Sequence, residues 1–335
     1  MSVPMTFVAT MVSGGTGHIA LNRPKALNAL TREMVRAIST ALAEWEHDDV
    51  VTRVLITSTS PRAFCAGGDI RTIRDEVVSG ADFTRFFADE YEMNLTLAEY
   101  PKPVIALIDG VDMGGGLGIS VHGSHRVASE KALFAMPETA IGFVSDVGAT
   151  YFLARLPKNV GRLMGMTGAR LGAGDALAVG LATHFCPSER IGELAESLLR
   201  GEDTAAALAA VAAEPPAAEL PFDEIDTVFG GGSASEVLAA VEGAAGAWAE
   251  GVRTALQSAC PTSVFVIYAL LAQAVHRTLP QCLAEEAVVG ARMIRRPDFA
   301  EGVRAVLIDK DRNPSFTPAT FADVDDAAIA ALVGP

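Results

Sequence analysis

Two glycine-rich segments impose the strongest constraint on how this chain can fold. One is Phe64-Cys65-Ala66-Gly67-Gly68-Asp69-Ile70, and the other is Met113-Gly114-Gly115-Gly116-Leu117-Gly118. Each follows an apolar, strand-like run and precedes a helix-like stretch, so each predicts a turn from strand to helix. Because glycine has no side chain, such a turn can present a bare backbone N–H to a ligand. A pair of such donors suits chemistry at an oxygen that becomes negative.

The order of strand-like and helix-like segments predicts an α/β fold over about the first 190 residues. Beyond that point alanine, glutamate and leucine dominate, which indicates helices. We therefore predict a core domain over residues 1–200 and a mainly helical region over 201–335 that packs on it. The expected strands are 17–22, 50–57, 103–108 and a strand edge at 126–134, and the expected helices are 31–47 with Thr31 as N-cap, one from about 70, 114–121, 146–156, 190–200, 234–255 and 263–277.

Composition narrows the class of protein. The formal charge of −15 argues against general nucleic-acid binding, which needs a basic surface. No apolar run approaches the roughly 20 residues of a membrane span, and residues 1–7 lack the pattern of a targeting sequence. Four scattered cysteines are typical of reduced thiols, and the histidines show no metal-ligand spacing. We expect a cytoplasmic protein without a metal, a membrane or a nucleic-acid partner.

A dinucleotide-binding site is rejected on the spacing of the glycines. The segment 14–17 (Gly-Gly-Thr-Gly) runs into a strand rather than a helix, so it predicts a hairpin turn. The segment 114–118 follows a strand, but its spacing is not G-x-G-x-x-G. The glycines are therefore expected to serve another ligand.

Glu138 is the leading candidate for a reactive carboxylate. It follows Pro137 and lies among Phe134, Met136 and Ile141, so a partly desolvated side chain with a raised pKa is expected. Such a carboxylate suits acid–base or nucleophilic work. Asp146 either caps the helix that it begins or faces the same cleft, and the residues alone leave both readings open.

Four motifs follow one another along the chain: Leu21-Asn22-Arg23-Pro24-Lys25-Ala26-Leu27-Asn28-Ala29-Leu30, Ala63-Phe64-Cys65-Ala66-Gly67-Gly68-Asp69, Lys102-Pro103-Val104-Ile105-Ala106 and Met113-Gly114-Gly115-Gly116. In this order they resemble the motifs of the crotonase (enoyl-CoA hydratase/isomerase) superfamily. The resemblance implies a fold of stacked ββα turns, a spiral core followed here by helices. It also implies an acyl-CoA substrate, with coenzyme A as part of that substrate and no further cofactor.

Within this superfamily the chain is most similar to the 3-hydroxyisobutyryl-CoA hydrolases, thioesterases of valine breakdown, through segments that include 130–142 and 301–311. Hydratases of the superfamily carry a first glutamate twenty residues before the second, and counting back from Glu138 gives Gly118. The hydrolases also lack the first glutamate and have an aspartate eight residues after the second, where this chain has Asp146. The resemblance therefore implies thioester hydrolysis.

The same resemblance assigns roles to individual residues. The amides of Gly68 and Gly115 would form the oxyanion hole, and Glu138 would act as base or nucleophile. Asp146 would bind the substrate's 3-hydroxyl or orient water, and Glu90 would contact the substrate. Coenzyme A would run past Lys25, Ala26, Leu27, Ala66, Gly67, Asp69 and Ile70.

Two other functions remain open at this point. A Δ3-Δ2 enoyl-CoA isomerase, or another crotonase-type enoyl-CoA enzyme, could use Glu138 alone to move a proton between carbons. A non-catalytic acyl-CoA-binding protein would need no carboxylate. The resemblance further implies a homo-oligomer (dimer, trimer or hexamer), and it suggests Arg304 and Lys310 as residues near coenzyme A.

Overall fold

The computed structural model describes residues 6–334 and divides into two compact units, each built from three stretches of chain. Unit 1 contains the chain up to Gly68, Asp89–Phe134 and Leu171–Glu219. Unit 2 contains Asp69–Ala88, Ala135–Arg170 and the chain from Leu220 onward. Residues 1–5, on which most of the targeting argument depends, lie outside the described residues. The domain boundary near residue 200 stays a prediction.

Strands and helices alternate through the first half of the described chain, and helices alone follow β10. The strands are β1 (Val8–Ser13), β2 (Thr16–Leu21), β3 (Arg53–Ser58), β4 (Ala63–Cys65), β5 (Val104–Ile108), β6 (Val111–Met113), β7 (His125–Ala128), β8 (Leu133–Ala135), β9 (Leu171–Gly172) and β10 (His184–Phe185). The helices are α1 (Arg32–Glu46), α2 (Ile70–Ser79), α3 (Thr84–Glu99), α4 (Gly115–Ser120), α5 (Ala149–Leu153), α6 (Val160–Thr167), α7 (Ala173–Ala178), α8 (Ile191–Leu199), α9 (Thr204–Val211), α10 (Phe222–Val228), α11 (Ala234–Gly243), α12 (Ala247–Gln257), α13 (Pro261–Ala274), α14 (Leu279–Ile294), α15 (Pro297–Val303) and α16 (Asp326–Val333).

Unit 1 is built on a six-stranded sheet with the order β1-β2-β3-β5-β7-β10. All neighbouring strands are parallel except β1 and β2, which form an antiparallel hairpin with Ser13 opposite Thr16. The predicted hairpin turn at 14–17 is therefore confirmed. β1 was not predicted, because it is an edge strand whose residues after Val8 are largely exposed and show no inward-facing alternation.

A second sheet of short strands, with the order β4-β6-β8-β9, positions the glycine turns. β4 and β6 run parallel to each other, and each leads directly into one of the turns. The sequence predicts that the turns follow the strands at 50–57 and 103–108. This is wrong, because a further short strand, β4 or β6, lies between each of those strands and its turn. The expected strand edge at 126–134 is likewise two strands, β7 and β8, which belong to different sheets. Strands of three residues carry too little periodicity to be found from sequence.

Helices cover one face of the six-stranded sheet in unit 1. Leu194, Leu198 and Leu208 of α8 and α9 pack against Leu55 and Ile105 of the sheet. Burying each leucine contributes about 1.5–3 kcal/mol relative to leaving it exposed. This layer fixes the strands whose connections carry the glycine turns.

Unit 2 consists of helices α2, α5, α6 and α10–α16. α13 is its most deeply buried helix, with eleven of its residues buried. The helix predicted over 234–255 is interrupted at 244–246 and forms α11 and α12. In residues 6–334 no single helix is long and apolar enough to cross a membrane; α12 and α13 pass that test only as a pair, bent by 112°.

Candidate active site

The two glycine turns of unit 1 lie against each other. A Cβ atom placed on Gly115 would lie 3.3 Å from the Gly68 backbone nitrogen, and one placed on Gly67 would lie 3.6 Å from the Gly115 nitrogen. Gly67 has φ +97°, a conformation that glycine adopts far more readily than other residues. Gly115 is the first residue of α4, so its N–H has no intrahelical acceptor. The predicted pair of backbone donors is therefore brought together.

A buried carboxyl group lies beneath the start of α4. Asp112 is fully buried and accepts a hydrogen bond of 2.7 Å from the Ser120 hydroxyl. Burial raises the pKa of Asp112 to about 7, and the Ser120 hydrogen bond opposes this shift. A Cβ on Gly116 would lie 2.5 Å from both Asp112 Oδ1 and the Cys65 carbonyl oxygen. The helix can lie this close to its surroundings only because position 116 has no side chain.

The loop assigned to coenzyme A is fixed to the first glycine turn through Asn28. Asn28 is buried with φ +56°, and its amide nitrogen donates to the Phe64 carbonyl at 2.9 Å and to Ser58 Oγ at 2.7 Å. The Ala66 N–H donates to the Leu27 carbonyl at 3.0 Å. These bonds hold the predicted residues Lys25, which is exposed, and Ala26 and Leu27, which are half-buried, beside Ala66 and Gly67.

Two polar side chains of helix α3 lie next to α4. Glu90 is buried, and its Oε1 would lie only 2.6 Å from a Cβ on Gly115. Asn94, one helical turn later, is buried and donates from Nδ2 to the Gly118 carbonyl at 2.9 Å. The predicted substrate-contacting acid thus lies beside the second backbone donor.

The remaining predicted coenzyme residues belong to unit 2. Asp69 is the N-cap of α2, and its side chain accepts a long hydrogen bond of 3.5 Å from Thr72 N. Ile70 is the first residue of that helix and is half-buried. Both residues therefore lie at the helix start that the sequence predicted.

Glu138 lies in a single turn of 3-10 helix, Glu138–Ile141, directly after Pro137. Glu138 is 8% exposed. Burial raises the pKa of Glu138 to about 8, with a further rise from the charge of Asp146 and an opposing effect of the Ser145 hydroxyl, which donates to Oε2 at 3.2 Å. The predicted desolvated carboxylate with a raised pKa is present.

Residues from α13 and α15 hold the turn that carries Glu138. The Cys260 N–H, at the start of α13, donates to the Thr139 carbonyl at 2.8 Å. A Cβ on Gly142 would lie 2.5 Å from the Asp298 carbonyl, and one on Gly302 would lie 2.5 Å from the Ile141 carbonyl carbon. Such close backbone packing leaves this turn little freedom to move.

Asp146 is not the N-cap residue of the helix that follows it, since that position is Gly148. α5 begins at Ala149, and its N-terminal N–H groups at Gly148 and Thr150 donate to the carboxylate of Glu286 at 2.7 and 2.8 Å. The predicted helix over 146–156 therefore starts too early, because Val147 and Gly148 adopt positive φ. Asp146 itself is 5% exposed and close enough to Glu138 and Glu286 to raise the pKa of both carboxyls.

Arg304 is an unfavourable coenzyme ligand. Its guanidinium contacts the carboxylates of Glu301 at 2.9 Å, Asp309 at 2.6 Å and Asp311 at 2.7 Å, which raise the pKa of Arg304 above its ordinary value. An anionic phosphate would have to displace those acids. The nearby Lys310 is exposed and has φ +59°.

Cys65 is a packing residue. It is buried in unit 1, and burial raises the pKa of its thiol well above the ordinary range. All four cysteines are buried and unpaired with one another. Among residues 6–334, no three His, Cys, Asp or Glu side chains are grouped so that they could hold a metal ion.

Sequence reasoning missed Asp112, Asn94 and Glu286. Only Glu286 left a usable signal: it lies three residues after Leu283 and three before Val289, on the apolar stripe of α14. A glutamate in such a stripe indicates a buried, hydrogen-bonded carboxylate. Asp112 and Asn94 lie in segments without a comparable pattern.

Comparison with known proteins identifies the family. The family model described as "Enoyl-CoA hydratase/isomerase" matches residues 16–333. A curated relative from Danio rerio, named "3-hydroxyisobutyryl-CoA hydrolase, mitochondrial", is 41% identical over 326 residues, covering 93% of this chain and 85% of the relative. The predicted resemblance to these hydrolases is confirmed.

Two solved structures are similar over nearly the whole chain. A carnitinyl-CoA dehydratase from Mycobacterium thermoresistibile has a TM-score of 0.93 and 37% identity, covering 98% of this chain and 96% of that one. An enoyl-CoA hydratase from Rhodobacter sphaeroides 2.4.1 has a TM-score of 0.92 and 37% identity, covering 98% of each chain. The predicted α/β, crotonase-like fold with a helical C-terminal region is confirmed.

Proposed function

This chain belongs to the enoyl-CoA hydratase/isomerase family, and we propose that it hydrolyses acyl-CoA thioesters, with 3-hydroxyisobutyryl-CoA as its preferred substrate. The proposal is supported by relatives about 40% identical that are named as hydrolases of that thioester. Coenzyme A, as part of the substrate, is the only coenzyme that this reaction requires.

One observation carries the choice of reaction: Glu138 and Asp146 are both buried, while position 118 is a glycine. Hydratases of the family have a glutamate at the position of Gly118, and the resemblance implies that it and the second glutamate together hold the water that adds to a double bond. Without a glutamate at position 118, this chain retains one base, Glu138, and a second acid of the hydrolase pattern.

In the proposed reaction the amides of Gly68 and Gly115 bind the thioester carbonyl oxygen. Negative charge grows on that oxygen as the carbonyl carbon becomes tetrahedral, so fixed N–H donors stabilise the transition state more than the ground state. The C–S bond then breaks, and the coenzyme A thiolate leaves and takes up a proton.

Glu138 starts the reaction by one of two routes. As a general base it removes a proton from the attacking water; as a nucleophile it forms a mixed anhydride that water cleaves. Both routes need the ionised carboxylate. They differ in the origin of the carboxyl oxygen after a single turnover in ¹⁸O-labelled water, because only the anhydride can transfer an oxygen atom of Glu138 to the product.

Release of free thiol tests the proposed function. Purified protein should liberate coenzyme A from 3-hydroxyisobutyryl-CoA, detected with a thiol reagent. Failure to release thiol from hydroxyacyl, acyl and enoyl thioesters alike would overturn the proposal.

The activity should rise with pH. Because Glu138 must be ionised and its pKa is raised to about 8, kcat/KM should increase about tenfold per pH unit below pH 8 and level off above it. Asp146→Asn removes a like charge, so the midpoint should move to lower pH. Profiles of both proteins from about pH 6 to about pH 9 check this. A wild-type midpoint near the ordinary glutamate pKa would contradict the assignment.

Asp146→Asn should cost hydroxylated substrates more than plain ones. A hydrogen bond from the substrate hydroxyl to a charged acceptor contributes about 1.5–3 kcal/mol, or about 10- to 150-fold. The loss in kcat/KM for 3-hydroxyisobutyryl-CoA should therefore exceed that for isobutyryl-CoA by at least about tenfold. Equal losses would show that Asp146 acts on the chemical step or on the fold.

A second candidate is proton transfer or hydration on an enoyl-CoA. It is favoured by the solved structures that are described as a dehydratase and a hydratase. One buried glutamate could move a proton between carbons. This reaction releases no thiol, so the assay above distinguishes it, and a protein that only binds acyl-CoA would show neither reaction.

The pathway, the oligomeric state and the location in the cell are also proposed. We propose a role in valine breakdown, as the relatives' substrate suggests, and a homo-oligomer, as is common in the family. A cytoplasmic location is supported by four unpaired cysteines, whereas the named relatives are mitochondrial. Cell fractionation and light scattering of the purified protein test these points.

A further inference from the structure

Glu286 on α14 is a buried acid of unit 2 whose two carboxylate oxygens both accept hydrogen bonds. It is 0% exposed. Its Oε2 accepts from Gly148 N at 2.7 Å, and its Oε1 accepts from Thr150 N at 2.8 Å and from Thr150 Oγ1 at 2.6 Å. Both backbone groups can only donate, so both oxygens must accept. A single carboxylate therefore fixes a stretch of backbone that begins two residues after Asp146.

The backbone next to Asp146 is strained. Val147 has φ +57°, which is an outlier for a β-branched residue, and Gly148 follows with φ +81°. A residue held in this region is strained and persists only when its surroundings impose the conformation. Glu286 supplies such a constraint at Gly148 and Thr150, immediately beyond the strained residue.

Glu286 also interacts electrostatically with Asp146. Burial is the main cause that raises the pKa of Glu286 to about 8; the Thr150 and Gly148 hydrogen bonds lower it and the charge of Asp146 raises it. A helix cap does not require a second acid near Asp146. Two negative charges close together raise the free energy of the folded protein. A purely structural cap could be built from an uncharged side chain.

We propose that Glu286 is a positioning residue that directs Asp146 toward the hydroxyl group of the substrate, by holding the Val147–Gly148 bend in place. The inference rests on the proposed function, since it takes Asp146 as the group that recognises a 3-hydroxyacyl thioester. Glu286 itself does not contact the substrate. It determines selectivity for hydroxylated over plain acyl groups through Asp146.

Substitutions at both ends of the contact test this role. Glu286→Gln leaves only one acceptor oxygen, so either Gly148 or Thr150 loses its partner and the bend can relax. Thr150→Val removes the hydroxyl donor, whereas Thr150→Ser retains it and is the matched control. Glu285→Gln makes the same chemical change one residue earlier on α14, where the side chain pairs with Arg277 instead.

The readout is the ratio of kcat/KM for 3-hydroxyisobutyryl-CoA to that for isobutyryl-CoA. Glu286→Gln should lower this ratio by about tenfold or more, the size of one hydrogen bond to a charged group. Thr150→Val should lower it in the same direction, while Thr150→Ser and Glu285→Gln should leave it within about threefold of wild type. Equal losses on both thioesters in Glu286→Gln, with a lower melting temperature, would overturn the proposal.

A binding measurement separates this inference from the proposed function. In the Glu138→Gln background, calorimetry should show tighter binding of 3-hydroxyisobutyryl-CoA than of isobutyryl-CoA, and adding Glu286→Gln should remove the preference. If wild type releases no thiol, the proposed function fails, yet loss of this preference still supports Glu286. An unchanged preference, or none in the parent, would overturn the role of Glu286 whatever the activity.

Discussion

Replacing Glu138 with glutamine should lower thioester hydrolysis by about 10²- to 10⁴-fold, the range expected for loss of a general base, while coenzyme A binding survives. Glutamine keeps the size of the side chain but cannot be ionised, so neither proton removal nor anhydride formation remains. The effect corresponds to about 3–5 kcal/mol of transition-state stabilisation.

The fold should tolerate this change. Glu138 accepts a hydrogen bond from Ser145 and its ionisation is opposed by burial and by Asp146. Removing a buried charge that is disfavoured in this way should leave the melting temperature unchanged or slightly higher. Glu44→Gln, the same change at an exposed position, is the control and should retain full activity. Turnover of the Glu138→Gln enzyme within about tenfold of wild type would remove Glu138 from the mechanism.

Gly115→Ala should have the second largest effect, a loss of about 10²- to 10³-fold in kcat. The new Cβ would lie 2.6 Å from Glu90 Oε1 and 3.3 Å from the Gly68 nitrogen. The methyl group would therefore lie against both the proposed carbonyl site and the acid beside it. Such a loss equals removal of one donor from an oxyanion hole.

A matched glycine in the same unit serves as control for Gly115→Ala. Gly192 lies in α8, where a Cβ would meet no atom within 4 Å. Gly192→Ala should retain activity and stabilise the helix by about 0.5–1 kcal/mol. If Gly115→Ala keeps wild-type kcat and only raises KM, the turn binds substrate without stabilising the transition state. That result would contradict the oxyanion hole.

The sequence predicted the strong, local features of this molecule. Thr31 caps α1 as expected, its side chain accepting a 3.2 Å hydrogen bond from Met34 N. Glu138 was found because Pro137 and its apolar neighbours fix a buried turn. The glycine turns were found because a small residue next to a strand end is a local signal.

Features that depend on distant parts of the chain were not predictable. The two readings of Asp146, helix cap or cleft residue, could not be separated from sequence, because Glu286, which accepts from the N–H groups at the start of α5, is 140 residues away. The pairing of β4 with β6 joins segments of three residues that carry no period of their own. The resemblance suggests Arg304 as a residue near coenzyme A, but its guanidinium contacts Glu301 and two aspartates. In each case tertiary contacts determine the outcome.

Hydrolysis at the carbonyl, rather than addition of water to a double bond, is the central claim. The most direct test is one assay that follows free thiol and enoyl absorbance in parallel, on 3-hydroxyisobutyryl-CoA and on an enoyl-CoA of the same chain length. We expect thiol release from the hydroxyacyl thioester. Any loss of enoyl absorbance should be accompanied by thiol release. Loss of the enoyl absorbance with no free thiol from either substrate would contradict it.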